Sequence, residues 1–104
     1  MIHLINSQNE YEEIKENQPE FYLLKHSLTC PVSSSALKEY EGFSDKTESP
    51  CYVLYVQEAR ALSTYIAEQT QIRHESPQAI YFKQGKAVWD ASHYNIKAET
   101  LRNT

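Results

Sequence analysis

Two rhythms of apolar residues divide the chain. "FYLLKH" (21–26) and "CYVLYVQ" (51–57) are short, nearly continuous apolar runs, the second rich in β-branched and aromatic residues. Runs of that kind suit strands buried on both faces. Between them, Val32, Ala36, Leu37, Tyr40 and Phe43 recur at helical spacing. This predicts a helix opened by Pro31 and stopped by Gly42 as its C′ residue. A polar loop at 44–50 separates that helix from the second strand. Another helix is expected over about 58–72, with Ala59, Leu62 and Ile66 on one face.

The flanking segments extend the plan. Ile2 to Ile5 reads as a short strand. Ser7 with Glu10 three residues later forms a capping box, which predicts a helix over about 8–17, ended by Pro19. "HESP" (74–77) is a loop closing on Pro77, and "AIYFKQGKAVWDA" (79–91) reads as a β-hairpin turning around Gly85. "YNIKAETLRN" (94–103) supplies a last helix, with Asn95 as its expected cap. The order is β-α-β-α-β-α-β-β-α. It implies an α/β fold: a central mixed sheet flanked by helices, with strands 21–26 and 51–57 parallel and adjacent because a helical crossover joins them. The hairpin would run antiparallel to that pair. All four prolines (Pro19, Pro31, Pro50, Pro77) fall where an element begins, which supports these boundaries.

At 104 residues a single domain, 1–104, is expected. The formal net charge of −4 and the scatter of the ten Lys and Arg residues argue against a nucleic-acid partner, which needs a basic face. No apolar run approaches the roughly 20 residues that cross a bilayer, so no membrane association is expected. "MIHLINSQNEYEE" lacks the basic start and apolar stretch of a signal peptide. The expected location is therefore the cytoplasm. There, Cys30 and Cys51 are expected to be free, reactive or metal-bound rather than a structural disulfide.

Cys30 stands where a central strand hands over to a helix, at the carboxyl edge of the sheet, the edge at which ligands and chemistry gather in open α/β folds. Pro31 suits the first helical position. That makes Cys30 the N-cap, with its sulfur facing the free N–H groups of Val32 and Ser33 and the positive end of the helix dipole. Both effects favour thiolate over thiol. Free cysteines are more often small buried hydrophobes; the strand–Cys–Pro–helix context reverses that balance at Cys30. For Cys51, which opens a buried strand, the structural role stands. The intervening helix, about 11 residues at 1.5 Å each, puts the two sulfurs at opposite ends of the sheet, roughly 16 Å apart. An internal disulfide needs Cα atoms within about 7 Å.

The string "CPVS" (30–33) after a buried strand resembles the C-x-x-C/S site of thioredoxin-fold proteins. Ser76-Pro77, just before the hairpin, matches the place where that fold keeps a cis-proline facing the cysteine. More closely, "FYLLKHSLTCPVS" with "HESPQAIYF" resembles the YtxJ-type monothiol bacilliredoxins, small bacterial proteins linked to the low-molecular-weight thiol bacillithiol. The resemblance spans essentially the whole chain. It implies a thioredoxin-like fold and removal of bacillithiol from S-thiolated proteins through a mixed disulfide on Cys30. Bacillithiol would be the co-substrate, with no bound cofactor. Thr29, Pro31, Val32, Ser33, Ser76 and Pro77 would support the site: Thr29 by steadying the Cys30 loop, Pro77 by keeping a competing N–H away from the sulfur. Two departures set the chain apart from dithiol thioredoxins. "FYLLKH" lacks their buried acid, and Thr29 replaces their tryptophan before the cysteine.

His26, four residues before Cys30, could help hold a thiolate, but a histidine at a strand end is more often solvated. Lys25 is expected to point to solvent. His3, His74 and His93 make no recognisable metal-ligand spacing with the cysteines, so no metal site is expected. Trp89 and the eight tyrosines read as packing rather than a stacking platform. Three rivals to exchange remain. One is an iron–sulfur binding module holding a cluster between two subunits. Another is a redox sensor that is merely modified at Cys30. The last is a peroxidase, for which no arginine lies near in sequence.

Overall fold

The computed structural model describes all 104 residues, Met1–Thr104. A five-stranded sheet carries the fold, with strands β1 (Ile2–Leu4), β2 (Glu20–His26), β3 (Cys51–Tyr55), β4 (Gln78–Lys83) and β5 (Lys86–Ser92) in the order β1-β3-β2-β4-β5. β3 pairs parallel with both β1 and β2. β4 pairs antiparallel with β2 and with β5. The two long apolar runs are thus the neighbouring central strands that the pattern predicts.

Alternation along the strands divides the core in two. Phe21 and Leu23 of β2 face α1 (Gln8–Asn17) and α3 (Arg60–Thr70), packing with Tyr11, Leu62 and Ile66. Tyr22 and Leu24 face α2 (Pro31–Ser44) and the terminal α4 (Ala98–Arg102), packing with Ala36, Tyr40, Phe43 and Leu101. A strand with helices on both faces has no polar side, which is why β2 reads as a continuous apolar run. Each large side chain removed from water contributes on the order of 1.5–3 kcal/mol.

Local chemistry sets the boundaries. The Ser7 hydroxyl accepts from the Glu10 amide at 3.2 Å, while the Glu10 carboxylate accepts from the Ser7 amide at 3.1 Å, completing the capping box of α1. The hairpin turns through Gln84 and Gly85, at φ 56° and 77°. Two consecutive left-handed residues make the two-residue turn whose twist matches the strands, and glycine enters it without strain. A bulge beside Tyr81 and Phe82 bends β5.

Several boundaries differ from the sequence reading. Gly42 does not stop α2, which continues to Ser44 and leaves through Asp45 in a right-handed conformation. The buried Phe43 and Ser44 hold that last turn against the sheet, so packing overrides the glycine. β3 ends at Tyr55, two residues early, because Val56 and Gln57 turn toward α3. α3 is Arg60–Thr70 rather than 58–72, and ends through Gln71 at φ 60°. The final helix splits into a 3-10 turn at His93–Asn95 and α4, whose N-cap is Lys97 rather than Asn95. Ile96, fully buried, pins the chain between the two pieces.

Candidate functional site

The carboxyl ends of β2 and β3 and the start of β4 share one edge of the sheet. Three features of the sequence meet there: the loop after His26, the start of α2, and Ser76-Pro77. Cys30 is the N-cap of α2 with extended backbone (φ −104°, ψ 123°), and Pro31 occupies the first helical turn. Its thiol is partly exposed. In the resting thiol the sulfur closes no capping hydrogen bond. The Ser33 amide, the Val32 amide and the Ser33 hydroxyl nevertheless face it, and lower its pKa from the ordinary thiol value, the Ser33 amide most. Donors that are poorly used by a neutral thiol and well used by a thiolate bias the group toward the anion.

Ser33 does more than stand where a second cysteine might. It is completely buried, and its hydroxyl accepts from the Ser27 amide at 3.2 Å. That bond ties the end of β2 to the first turn of α2 and so fixes the Cys30 loop. Gln57 ties it from the other side. Its carbonyl oxygen accepts from the Leu28 amide at 3.1 Å, and its amide donates to the Ser27 hydroxyl at 2.9 Å and the Thr29 hydroxyl at 3.4 Å. Thr29 is thereby tied into the brace of the loop. Gln57, the principal brace, was missed, because nothing in the sequence distinguishes a glutamine just beyond a strand from a solvated one.

The Ser76–Pro77 peptide is cis, and Pro77 is buried. Lys25 pairs with Gln78 across β2 and β4, so Pro77 lies level with His26, at the edge from which the Cys30 loop departs. Its carbonyl accepts from the His93 amide at 3.0 Å.

Cys51 lies at the other end of the sheet. It pairs with Ile2 and Tyr22 at the amino ends of the parallel strands. Four strand residues from Tyr22 to His26 span roughly 13 Å, which keeps the two sulfurs apart. Burial pushes the Cys51 thiol up to about 11. Alkylation of the folded protein with iodoacetamide across pH is therefore expected to modify Cys30 alone, with an inflection below that of an ordinary thiol. Peptide mapping checks this; modification of Cys51 at neutral pH before unfolding would contradict it.

Two expectations are corrected. His26 is not solvated: it is only 6% exposed, stacked edge-on against Tyr55, and its Nδ1 has no hydrogen-bond partner. Burial lowers its pKa, so the ring is neutral at pH 7 and supplies no positive charge to the thiolate. Lys25 is not solvated either but completely buried. It alternates to the α3 face, where its ammonium donates to the Ser63 carbonyl at 3.0 Å and meets His74 Nδ1 at 3.2 Å. The Ser63 hydroxyl lies 3.0 Å from the same nitrogen. No carboxylate pairs with Lys25, since the two ion pairs of the protein lie elsewhere.

Burial lowers the Lys25 pKa to about 8. Below pH 8 the ammonium is charged in the folded and unfolded states alike, and its desolvation costs about 3 kcal/mol. As pH rises from 8 toward 10.5 the folded state releases the proton first, and the cost is relieved. Lys25→Met is thus expected to raise thermal stability at pH 7. The wild type should regain ground on the variant between pH 8 and 10.5 in denaturant titrations. A variant less stable than wild type at neutral pH would show that the ammonium stabilises the fold instead.

The arrangement matches known proteins at two levels. The sequence model of the monothiol bacilliredoxin family BrxC matches residues 3–101. The chain belongs to the monothiol bacilliredoxin family. A solved structure described as an oxidoreductase with a thioredoxin fold is 37% identical, with a TM-score of 0.94, covering 98% of this chain and 91% of its own. Thioredoxins superpose as well at much lower identity. A point mutant of the thioredoxin of Halobacterium salinarum is 14% identical, with a TM-score of 0.79 and coverage of 98% and 85%. The thioredoxin of Malassezia sympodialis is 17% identical, with a TM-score of 0.78 and coverage of 99% and 86%. These two show the fold alone. The α/β thioredoxin-like fold is established, and this bacilliredoxin carries a site suited to thiol redox chemistry. No helix is long and apolar enough to cross a membrane.

Proposed function

We propose that the protein removes bacillithiol from S-bacillithiolated proteins by a monothiol exchange on Cys30. The observation that carries the reading is an accessible thiol at a helix N-terminus, faced by amide donors, with serine three residues on. The Cys30 thiolate attacks the bacillithiol sulfur of the mixed disulfide. The bond between target and bacillithiol breaks, the target leaves as a thiolate and takes a proton, and bacillithiol remains bonded to Cys30. The Ser33 hydroxyl cannot displace it, because an alcohol is not a nucleophile in this exchange. A second thiol from solution then attacks the bound bacillithiol sulfur and regenerates the Cys30 thiolate. With bacillithiol as that thiol, the products are the reduced protein and bacillithiol disulfide.

The parts around the sulfur have separate tasks. The Val32 and Ser33 amides favour the thiolate both as attacking and as leaving group. Thr29 and Pro31 hold the loop and the helix start. Pro77 has no N–H to compete for the sulfur, and with Ser76 it leaves a place for an extended substrate beside it. The step needs no bound cofactor or metal, and the cytoplasm is the compartment in which such thiols turn over.

Turnover tests the reading. Release of the first equivalent of reduced target from an S-bacillithiolated protein should need this protein alone, and release beyond one equivalent per protein should need free bacillithiol. No acceleration over the protein-free reaction would sink it, and stable iron in the purified protein would favour a cluster-binding role. The separation of the sulfurs also predicts that Cys51→Ala keeps most of the turnover. Loss of turnover in a folded Cys51→Ala protein would make Cys51 a resolving thiol.

A further inference from the structure

A polar cleft of about 320 Å³ opens on the α3 side of the Cys30 loop, walled by Ser27, Gln57, Arg60, Ser63, His74 and Ser76 among others. Two of its walls belong to the site itself. Ser27 is held by Ser33 and Gln57, and Ser76 precedes the cis-proline. From Ser27 to Cys30 is three residues, a span of at most about 11 Å. A small molecule bonded to Cys30 is therefore long enough to reach the cleft.

The cleft is built for one sign of charge. The protein has 14 acidic residues against ten basic ones, yet no carboxylate lines this surface. Larger clefts elsewhere carry acids: Glu10 and Glu13 beside β1, and Glu20 near the carboxyl terminus. Glu75, the neighbouring acid in sequence, contacts His93 at 3.5 Å outside the cleft lining, and its charge on His74 opposes but does not outweigh burial and the Lys25 charge. Arg60 supplies an exposed cation at the mouth. Behind the wall lies the Lys25 ammonium, buried with no carboxylate beside it and joined to two lining residues, through the Ser63 carbonyl and His74 Nδ1. A charged lysine only donates, so Nδ1 accepts and the ring proton sits on Nε2. His74 is thereby held as a neutral donor, and desolvation together with the Lys25 charge lowers its pKa. The hydroxyls of Ser27 and Ser76 add further donors. A buried cation that costs stability on its own is stabilised by an anion brought close to it.

We infer that this cleft seats the carboxylate-bearing part of the small thiol that Cys30 exchanges. The inference rests on the exchange reading above and adds what selects the thiol. The acidic protein as a whole repels an anion, so a preference for carboxylated thiols needs a local site of this kind.

The test uses two symmetrical disulfides, that of mercaptosuccinate and that of 2-mercaptoethanol, with N-acetylcysteine as reference nucleophile. Rates of Cys30 adduct formation are followed by intact mass in the full-length protein. Wild type should favour the carboxylated disulfide by about tenfold relative to the reference, as expected for one or two charge-assisted hydrogen bonds. That ratio should collapse toward the reference value in Arg60→Gln, whose side chain is exposed, and should fall in Lys25→Met. A wild-type ratio no higher than the reference, or a ratio equal in wild type and both variants, would overturn the subsite while leaving exchange standing. Failure of both disulfides to label Cys30 would overturn exchange itself, and the subsite with it.

Discussion

Cys30→Ser is expected to lose exchange completely, falling to the rate without protein, while remaining folded. The substitution keeps the N-cap position and even improves it, because a serine oxygen accepts from the helix amides better than a neutral thiol does. Cys30 has no closed hydrogen bond to lose and is partly exposed, so the fold has little stake in the sulfur. The chemistry depends on it entirely. Far-UV circular dichroism and thermal melting should match wild type, and intact mass should show no adduct. Residual adduct formation at a wild-type rate would locate the nucleophile elsewhere, with Cys51 the sole remaining thiol.

Ser33→Cys should change the product rather than the rate. Residues 30 and 33 are three apart across the start of α2, and such positions are neighbours on a helix surface, about 5–6 Å between Cβ atoms. A disulfide needs Cβ atoms about 3.5–4.5 Å apart, so closure draws the extended N-cap residue inward, and the Ser33 hydroxyl already faces the Cys30 sulfur. The new thiol would attack the Cys30 adduct, expel the small thiol and leave an internal disulfide. The variant should therefore lose two hydrogens where wild type gains a small thiol. The substitution also replaces the acceptor of the Ser27 amide by a weaker one, at a cost of about 1 kcal/mol in the reduced form. A variant that retains the adduct indefinitely would show that the buried position 33 sulfur cannot reach Cys30, and that sterics rather than chemistry make this site monothiol.

Most of the fold was legible because it is written in short-range signals. The Ser7–Glu10 capping box, Pro31 at a helix start and the Gln84-Gly85 turn each specify backbone geometry locally. The apolar runs at 21–26 and 51–57 could be placed side by side because a helical crossover leaves few alternatives. Gly42 misled because its effect is a local propensity, worth about 1 kcal/mol, which the packing of Phe43 outweighs. The terminal helix misled because Ile96, an apolar residue in helical register, is buried as a connector.

The placement of Cys30 at a helix start and of Pro77 at the same sheet edge was legible, because motif and strand-end position coincide there. It was not legible at Lys25 and His26. Both lie at the end of a strand, where alternation assigns a face but not a depth. Alternation puts Lys25 on the face opposite Leu24, and nothing in the sequence marks that face as closed; a buried lysine without a carboxylate is costly and therefore rare. Its partners, Ser63 and His74, come from elements 38 and 49 residues away. No local pattern announces such a cluster. Gln57 was invisible for a similar reason, since its three bonds reach back to 27–29 from a turn after β3.

One measurement bears most directly on the monothiol mechanism: the intact mass of wild-type protein after one equivalent of an S-bacillithiolated target, with no other thiol present. The mechanism predicts a single species heavier by one bacillithiol, mapped to Cys30, alongside an equal amount of reduced target. A wild-type protein that instead loses two hydrogens, linking Cys30 to Cys51 within one chain, or that stays unmodified while the target keeps its bacillithiol, would contradict it.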